Sequence, residues 1–291
     1  MKPKAAAFLE LIRFPNLLTA MADVLAGILL VGAAGIPLTS SLGLLITTVT
    51  IYAAGCILND LRDRQRDAVE RPRRPLPSGR ISPGAAWALL ILFFSMGLSA
   101  SLLAGPSAFI VALLLILLVI AYNVRFKKYD VLGPAGMAAC RSLNLFLGMS
   151  GGFGSAGIAL IFPFLTFPYV YSLTILSRFE VHGGSRTRRT EILGGWTVPL
   201  AVLSIMGFCG FLRHDGLWFL ALLVILTGPA LVSSLWKATP KGIRSGVTLM
   251  ILCLPVLDAA YTSGIRGWQY GIPVALCGPA AWLLARRFAV T

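Results

Sequence analysis

The sequence predicts an all-α, polytopic membrane protein, and its composition, its apolar segments and its charge distribution each support this fold class. Of the 291 residues, 57% are hydrophobic and only 12% are charged, and the mean hydropathy is +0.84. Soluble globular proteins carry about 25% charged residues, so this chain lacks about half of the usual solvating surface. The composition therefore excludes a soluble enzyme, a secreted disulfide scaffold and a disordered protein.

Ten apolar segments reach or approach the length of about 17 to 20 residues that a helix needs to cross the hydrocarbon core. Breaks rich in Gly and Pro separate several of them, and Ser82 followed by Pro83 predicts a helix start. We expect a single domain over residues 1–291 with nine to ten transmembrane helices, nine if one of the last segments merges or re-enters. The segments are residues 17–35, 40–58, 85–103, 107–122, 135–153, 157–176, 192–212, 216–235, 246–264 and 268–285.

The lysines and arginines predict how the chain is oriented in the membrane. Of the 25, 22 fall at the two termini and in alternate loops, whereas Arg213 and Arg266 lie on the opposite side and Arg141 lies within a segment. Positive residues accumulate in cytoplasmic loops, so both termini and all long loops are expected in the cytoplasm. This bias accounts for the net charge of +14, and we expect no nucleic-acid partner.

Four of the eleven acidic residues fall within residues 59–70, NDLRDRQRDAVE, directly after the second apolar segment. If the second helix continues through them, Asp60, Asp63 and Asp67 lie within about 60° of one another on one helix face, and Asn59 is one step further round. We call Asn59, Asp60, Asp63 and Asp67 the acidic stripe. Carboxylates placed so closely repel one another unless a cation joins them.

Two interpretations of the acidic stripe compete. Mg²⁺ is a suitable cation, because it prefers oxygen ligands and is usually held by one or two carboxylates together with substrate phosphates. Alternatively, the segment is a solvated loop in which the interleaved arginines neutralise the aspartates, the more common role of a charged loop. The carboxylate spacing at the end of a long apolar helix favours the metal site.

The acidic stripe and the RPRRPLPSGRIS segment at residues 71–82 together resemble the signature of the UbiA prenyltransferase superfamily. Further weak similarities occur in the right order along most of the chain. Arg13 to Asn16 resemble the start of the family's first helix, Tyr122 with Lys127 and Lys128 resemble its Tyr-then-Lys motif, and Arg141, Asn144 and Gly148 resemble a polar set on its fifth helix.

The resemblance implies a helical bundle around a central cavity, in which an intramembrane enzyme moves an isoprenoid chain from a prenyl diphosphate to a small acceptor. It implies a multi-pass location, expected in the bacterial inner membrane, with the site at the cytoplasmic rim and membrane lipid as surroundings. Asp60, Asp63 and Asp67 would be catalytic. Asn59, Asp60, Asp63, Asp67 and Glu180 would bind Mg²⁺. The substrate would contact Asn16, Asn59, Tyr122, Lys127, Arg141, Asn144 and Arg178.

The chain departs from the family pattern at the second acidic motif, which in the family is spaced DxxxD. Glu180 matches one acidic position, but Gly184 stands four residues later and Leu176 four residues earlier. Three interpretations stay open. Glu180 and His182 hold a second metal with backbone and phosphate oxygens, the loop arginines replace that metal, or the protein has lost transferase activity and kept the fold.

The SRFEVHGG segment at residues 177–184 resembles a divergent, EboC-like branch of the superfamily. The branch is associated with enzymes that resemble sugar-phosphate cyclases, which by analogy favours a hydroxylated cyclic acceptor. Charges within the membrane are expensive, so Asp23, Arg141 and Asp258 are expected to face the bundle interior and to pair. Four polar residues of the sixth segment are hypothesised to line an acceptor pocket, namely Tyr169, Tyr171, Ser172 and Thr174.

Two rival functions follow from the same residues. The first is a transporter or export factor built on a degenerate, inactive form of the fold, although the acidic stripe lies at the rim and not at mid-membrane. The second is a CDP-alcohol phosphatidyltransferase, which requires an Asp-Gly-x-x-Ala-Arg segment that this sequence lacks. The sequence thus favours the Mg²⁺-dependent prenyltransferase.

Overall fold

The computed structural model describes residues 3–32, 35–180 and 188–286, and the regular structure in these ranges is helical, with no strand. Besides short 3₁₀ turns, the described residues form thirteen α-helices. In chain order they are α1 (Pro3–Leu11), α2 (Phe14–Val31), α3 (Leu38–Glu70), α4 (Pro83–Ser101), α5 (Pro106–Val124), α6 (Leu132–Met149), α7 (Phe162–Ser177), α8 (Arg189–Phe208), α9 (Asp215–Trp236), α10 (Pro240–Leu252), α11 (Leu254–Arg266), α12 (Trp268–Ala275) and α13 (Cys277–Ala285).

The all-α membrane fold is confirmed, with a span count slightly below the expected nine to ten. In the described part of the chain, eight helical stretches are long and apolar enough to cross a membrane, and α10 with α11 forms one of them. Helix α6 is 18 residues long and contains Arg141 and Asn144, which lower its hydropathy. The segment expected at 268–285 is divided into α12 and α13, of eight and nine residues, with Pro273 inside α12.

Several helix ends follow the local signals in the sequence. The Ser82 side chain accepts a hydrogen bond from the Ala85 backbone N–H across 3.2 Å, and Pro83 occupies the first turn of α4. Thr239 caps α10 in the same way through Gly242. Gly105 and Gly267, each with φ above +100°, separate α4 from α5 and α11 from α12. A positive φ of this size is a conformation that glycine adopts without steric cost.

Helices α2 and α6 pack at close range in the centre of the bundle. A Cβ atom added at Gly148 would collide with the backbone of Val24, and one added at Gly27 would lie 2.6 Å from the Leu145 carbonyl oxygen. Two glycines facing each other thus let the two backbones approach, as small residues do in membrane helix pairs. This contact places the polar side chains of α6 directly against α2.

Helix α3 continues without interruption from the membrane span to Glu70, which confirms the helical register assumed for the acidic stripe. Its 33 residues include buried Asp60, Asp63 and Asp67 in the last three turns. Helices α4, α5, α8 and α9 lie further out, and much of their apolar surface is exposed, as a lipid-facing surface would be. The outer helices therefore surround the interior of the bundle, where the candidate site lies.

Candidate active site

A cavity of about 1040 Å³ runs through the interior of the bundle and opens at the end of α3 that carries the acidic stripe. Its rim is polar and charged, whereas its depth is lined mostly by aliphatic side chains, with a polar cluster at Arg141 and Asn144. We call it the main cavity. Its aliphatic lining includes Ile51, Leu115, Val170, Leu173, Val247 and Ile251. A molecule with an anionic head and a long apolar tail matches this division.

The acidic stripe divides into two pairs that face different neighbours. Asn59 and Asp63 line the main cavity. Asp60 and Asp67, seven residues apart and therefore on nearly the same helix face, are directed at Arg74, whose Nη1 lies 3.4 Å from Asp60 Oδ1 and 2.8 Å from Asp67 Oδ2. The structure thus brings two stripe residues into the cavity wall and holds the other two beside it.

Lys127 is the cation that faces the Asn59–Asp63 pair. Its Nζ lies 2.7 Å from Asp63 Oδ1 and 3.4 Å from Asn59 Oδ1, so two oxygen atoms converge on one ammonium group. Burial lowers the pKa of Lys127, although its hydrogen bond to Asp63 opposes this shift. The pair offers hard oxygen ligands at a point where a cation already sits.

A magnesium ion fits the chemistry of this pair but finds no complete cage. Among the described residues, no three His, Cys, Asp or Glu side chains are grouped to hold a metal ion. Asn59 and Asp63 supply two converging oxygens, and Mg²⁺ commonly completes its six ligands with water and substrate phosphate oxygens. The residues present therefore fit a magnesium ion that arrives with a phosphorylated substrate.

Arg13 and Arg74 stand between the main cavity and a smaller cavity of about 350 Å³. Arg13 precedes α2 in a left-handed conformation, with φ of 50°, and its Nη2 lies 3.3 Å from Asp60 Oδ1. The smaller cavity is also lined by Asp60 and Arg71. The wall between the two spaces is thus an ion-pair network in which Asp60 contacts two guanidinium groups.

Arg178 organises the loop that carries Lys127. Its Nη2 donates hydrogen bonds to the carbonyl oxygens of Lys127 (3.0 Å) and Tyr129 (2.6 Å), and its Nη1 donates to Asp130 Oδ1 (2.6 Å). The predicted substrate contact Arg178 therefore lines the main cavity while most of its donors are committed to the protein. Its first effect is to fix the position of Lys127.

Glu180 lies in the same wall and is buried. Burial raises its pKa above the ordinary value, while the charges of Arg244 and Arg71 oppose that rise. The other residues considered for the second motif, His182 and Gly184, lie outside the described residues.

The remaining predicted contacts also line the main cavity, but at different depths. Asn16 and Tyr122 lie along its wall. Arg141 lies about 14 Å into α6, judged from nine residues of helical rise, and forms an ion pair with Asp23. Asn144 donates to the other Asp23 oxygen across 2.9 Å and accepts from Thr48 across 2.7 Å. The two α6 residues therefore form a deep polar cluster, away from the rim.

Several residues that line the main cavity were not among the predicted substrate contacts. Arg13, Arg71, Arg74 and Lys128 all line the main cavity; the basic segment at residues 71–80 was the signal for two of them. Of the four residues hypothesised for an acceptor pocket, Thr174 lines the main cavity, whereas the others do not. Tyr169 donates to the Met250 carbonyl, Ser172 to the Tyr169 carbonyl, and Tyr171 stacks on Phe167.

Comparison with known proteins agrees with the arrangement. Residues 20–246 match the UbiA prenyltransferase family. A digeranylgeranylglyceryl phosphate synthase of Sulfurisphaera tokodaii is 30% identical over 242 residues, which cover 76% of this chain and 86% of that protein. The enzyme of the same name from Saccharolobus solfataricus is 26% identical, with 84% and 91% covered.

Solved structures show the same fold. A digeranylgeranylglyceryl phosphate synthase structure has a TM-score of 0.69 at 21% identity and covers 90% of this chain and 98% of that one. A UbiA homologue from Archaeoglobus fulgidus has a TM-score of 0.67 at 16% identity, with 93% and 99% covered. The same homologue bound to GPP and Mg²⁺ has a TM-score of 0.57 at 16% identity, with 93% and 99% covered.

Proposed function

Because this chain belongs to the UbiA prenyltransferase family, we propose that its main cavity transfers an isoprenoid chain from a prenyl diphosphate to a hydroxyl-bearing acceptor. The observation that carries the proposal is the division of the cavity into a charged rim and an aliphatic depth. The diphosphate would occupy the rim and the prenyl tail the depth. Family membership favours this enzyme over the export-factor alternative.

We propose that Asn59, Asp60, Asp63, Asp67 and Glu180 provide the Mg²⁺ ligands at the rim, where Asn59, Asp63 and Glu180 already line the main cavity. Support comes from the two oxygens that converge on Lys127 and from the Archaeoglobus fulgidus homologue bound to GPP and Mg²⁺. When bound, the ion would supply positive charge beside the leaving diphosphate.

In this proposal, the cationic side chains of the protein supply the remaining positive charge beside the diphosphate. Lys127, Lys128, Arg71 and Arg74 line the rim and would stabilise the charge that develops on the diphosphate as it leaves. The allylic C–O bond breaks, and its electron pair departs with the diphosphate. The acceptor oxygen then forms the new C–O bond and gives its proton to the departing diphosphate. The aliphatic walls exclude water, which would otherwise capture the carbocation.

The class of acceptor is the finer part of the proposal. The relatives' shared name, digeranylgeranylglyceryl phosphate synthase, favours a glyceryl phosphate lipid. A hydroxylated cyclic compound, expected from the divergent SRFEVHGG segment, is the second candidate. Both present a hydroxyl group, and both would reach the rim from the membrane interface. We further propose that the rim faces the cytoplasm of a bacterial inner membrane, which the distribution of Lys and Arg supports.

Donor binding tests the proposed function without knowledge of the acceptor. Purified wild-type protein would be titrated with geranyl, farnesyl and geranylgeranyl diphosphates, with and without Mg²⁺. Asp63→Asn would be measured beside the control Asp215→Asn, which lies outside both cavities. We expect Mg²⁺-dependent binding that Asp63→Asn loses and Asp215→Asn keeps. Binding of none of the three donors to the wild-type protein would overturn the proposal.

A further inference from the structure

Every carboxylate of the acidic stripe already has an internal cation. Asp63 contacts Lys127 at 2.7 Å, Asp67 contacts Arg74 at 2.8 Å, and Asp60 contacts Arg13 at 3.3 Å and Arg74 at 3.4 Å. The three aspartate side chains are at most 11% exposed, so water does little to screen these pairs. The stripe is therefore neutralised within the protein.

These cations are also cavity groups. Arg13, Arg74 and Lys127 all line the main cavity, where they could contact a ligand's phosphate oxygens. A carboxylate that is paired with a guanidinium or ammonium group binds a metal ion less readily, because the nearby positive charge repels the metal and the hydrogen bond occupies part of its lone pairs. The same ion pairs thus occupy the groups that a metal needs and the groups that a diphosphate needs.

We propose that donor binding exchanges partners, with Arg74 as the residue that couples the two halves of the donor complex. The carboxylates of Asp67 and Asp63 turn from their cations to Mg²⁺, and Arg74 and Lys127 turn from their carboxylates to the diphosphate. This inference rests on the proposed function, because it describes how Mg²⁺ and the diphosphate bind at that same site. It makes Arg74 a diphosphate-binding residue that stays paired with carboxylates until a diphosphate arrives.

The exchange makes Mg²⁺ and diphosphate binding mutually dependent. Mg²⁺ alone meets carboxylates that are already paired, and diphosphate alone meets cations that are already paired. Each ligand releases the groups that the other needs, so each raises the affinity of the other by the same factor. Arg74 contributes most, because one guanidinium contacts both Asp60 and Asp67.

The test is the affinity for Mg²⁺ alone, measured by isothermal titration calorimetry on the purified chain. Arg74→Gln is expected to bind Mg²⁺ about three- to tenfold more tightly than the wild-type protein, because a part-buried ion pair no longer competes with the metal. The control Arg64→Gln removes the same charge from an exposed position on α3 outside both cavities. It should change the affinity less. Binding of a non-hydrolysable farnesyl thiolodiphosphate without Mg²⁺ should weaken in Arg74→Gln.

A purely structural role for Arg74 predicts the opposite sign for the metal. If Arg74→Gln binds Mg²⁺ no more tightly than Arg64→Gln, the exchange is overturned. Lys127→Gln provides a second test at another cation of the main cavity, should Arg74→Gln fold poorly. It is expected to tighten Mg²⁺ binding at Asn59 and Asp63, and unchanged binding would equally overturn the exchange. Failure of the wild-type protein to bind any prenyl diphosphate would instead overturn the proposed function.

Discussion

Arg141 on α6 donates a hydrogen bond of 2.9 Å to the carboxylate of Asp23 on α2, and both side chains are buried in the middle of the bundle. Asn144 donates to the second oxygen of the same carboxylate. The pair joins two helices whose glycines are already in close contact. Removing one partner of such a buried pair is strongly destabilising, because the other charge is left buried without a counter-charge.

Arg141→Met is therefore expected to lower the free energy of unfolding by about 3–5 kcal/mol. Thermal or denaturant unfolding in detergent would measure the loss. Arg213→Gln is the control, because its ion pair with Asp215 lies at the surface, with the arginine 61% exposed. The double variant Asp23→Asn with Arg141→Met should recover part of the stability. A single variant as stable as the wild-type protein would contradict the account.

Gly148→Leu is expected to separate α2 from α6, because no Cβ can be added at Gly148 without meeting the Val24 backbone. Overpacking of a close helix contact costs about 1–3 kcal/mol or more when backbone must move. The yield of folded, monodisperse protein after size-exclusion chromatography measures the effect. Gly194→Leu on α8 is the matched control, since an added Cβ there meets nothing within 4 Å. Equal yields for the two variants would refute the predicted collision.

Arg178→Gln is expected to weaken prenyl diphosphate binding about tenfold, because the loop that carries Lys127 loses its charged hydrogen-bond donor. Folding should change little, since Arg178 lies at the rim and its partner Asp130 is 87% exposed. Donor titration and limited proteolysis of the loop at residues 125–131 would report both effects. Proteolysis unchanged from wild type, together with weaker binding, would show that Arg178 contacts the substrate and does not act through Lys127.

Glu180 gives a prediction for pH. Burial raises its pKa above the ordinary value of 4.5, so folding stabilises the protonated form relative to the ionised form. The resulting stabilisation is fully present below the unfolded pKa and is lost as the pH rises through the folded pKa. Glu180→Gln is expected to remove this component of the fall in stability above pH 4.5. Thermal unfolding midpoints of both proteins between pH 4 and pH 7 test it, and parallel curves would count against the shift.

The sequence predicted those parts of the protein that depend on local pattern. Apolar length gave most of the spans, Ser82 gave a helix start, and the register of the acidic stripe followed from the continuation of α3. The break at Cys253 between α10 and α11 was not foreseen, although Pro255 lies in the first turn of α11. A single apolar segment does not reveal where a helix is interrupted.

Contacts between distant segments could not be predicted in the same way. The pairing of Arg74 with Asp67 depends on how the proline-rich segment folds back over α3, and that of Arg141 with Asp23 depends on the packing of α2 against α6. One-dimensional spacing places charges on a face but does not choose their partners. The sequence therefore predicts which residues share a helix face, but not which residues they pair with.

The continuity of α3 has a mechanical consequence. A helix of 33 residues is about 50 Å long, whereas the hydrocarbon core of a bilayer is about 30 Å thick. The membrane span and the acidic stripe therefore belong to one stiff rod without an intervening joint. When the bilayer becomes thinner or thicker, tilting of this rod moves the stripe relative to the lipid headgroups. The depth of the acidic stripe in the membrane is thus set by the bilayer as well as by the protein.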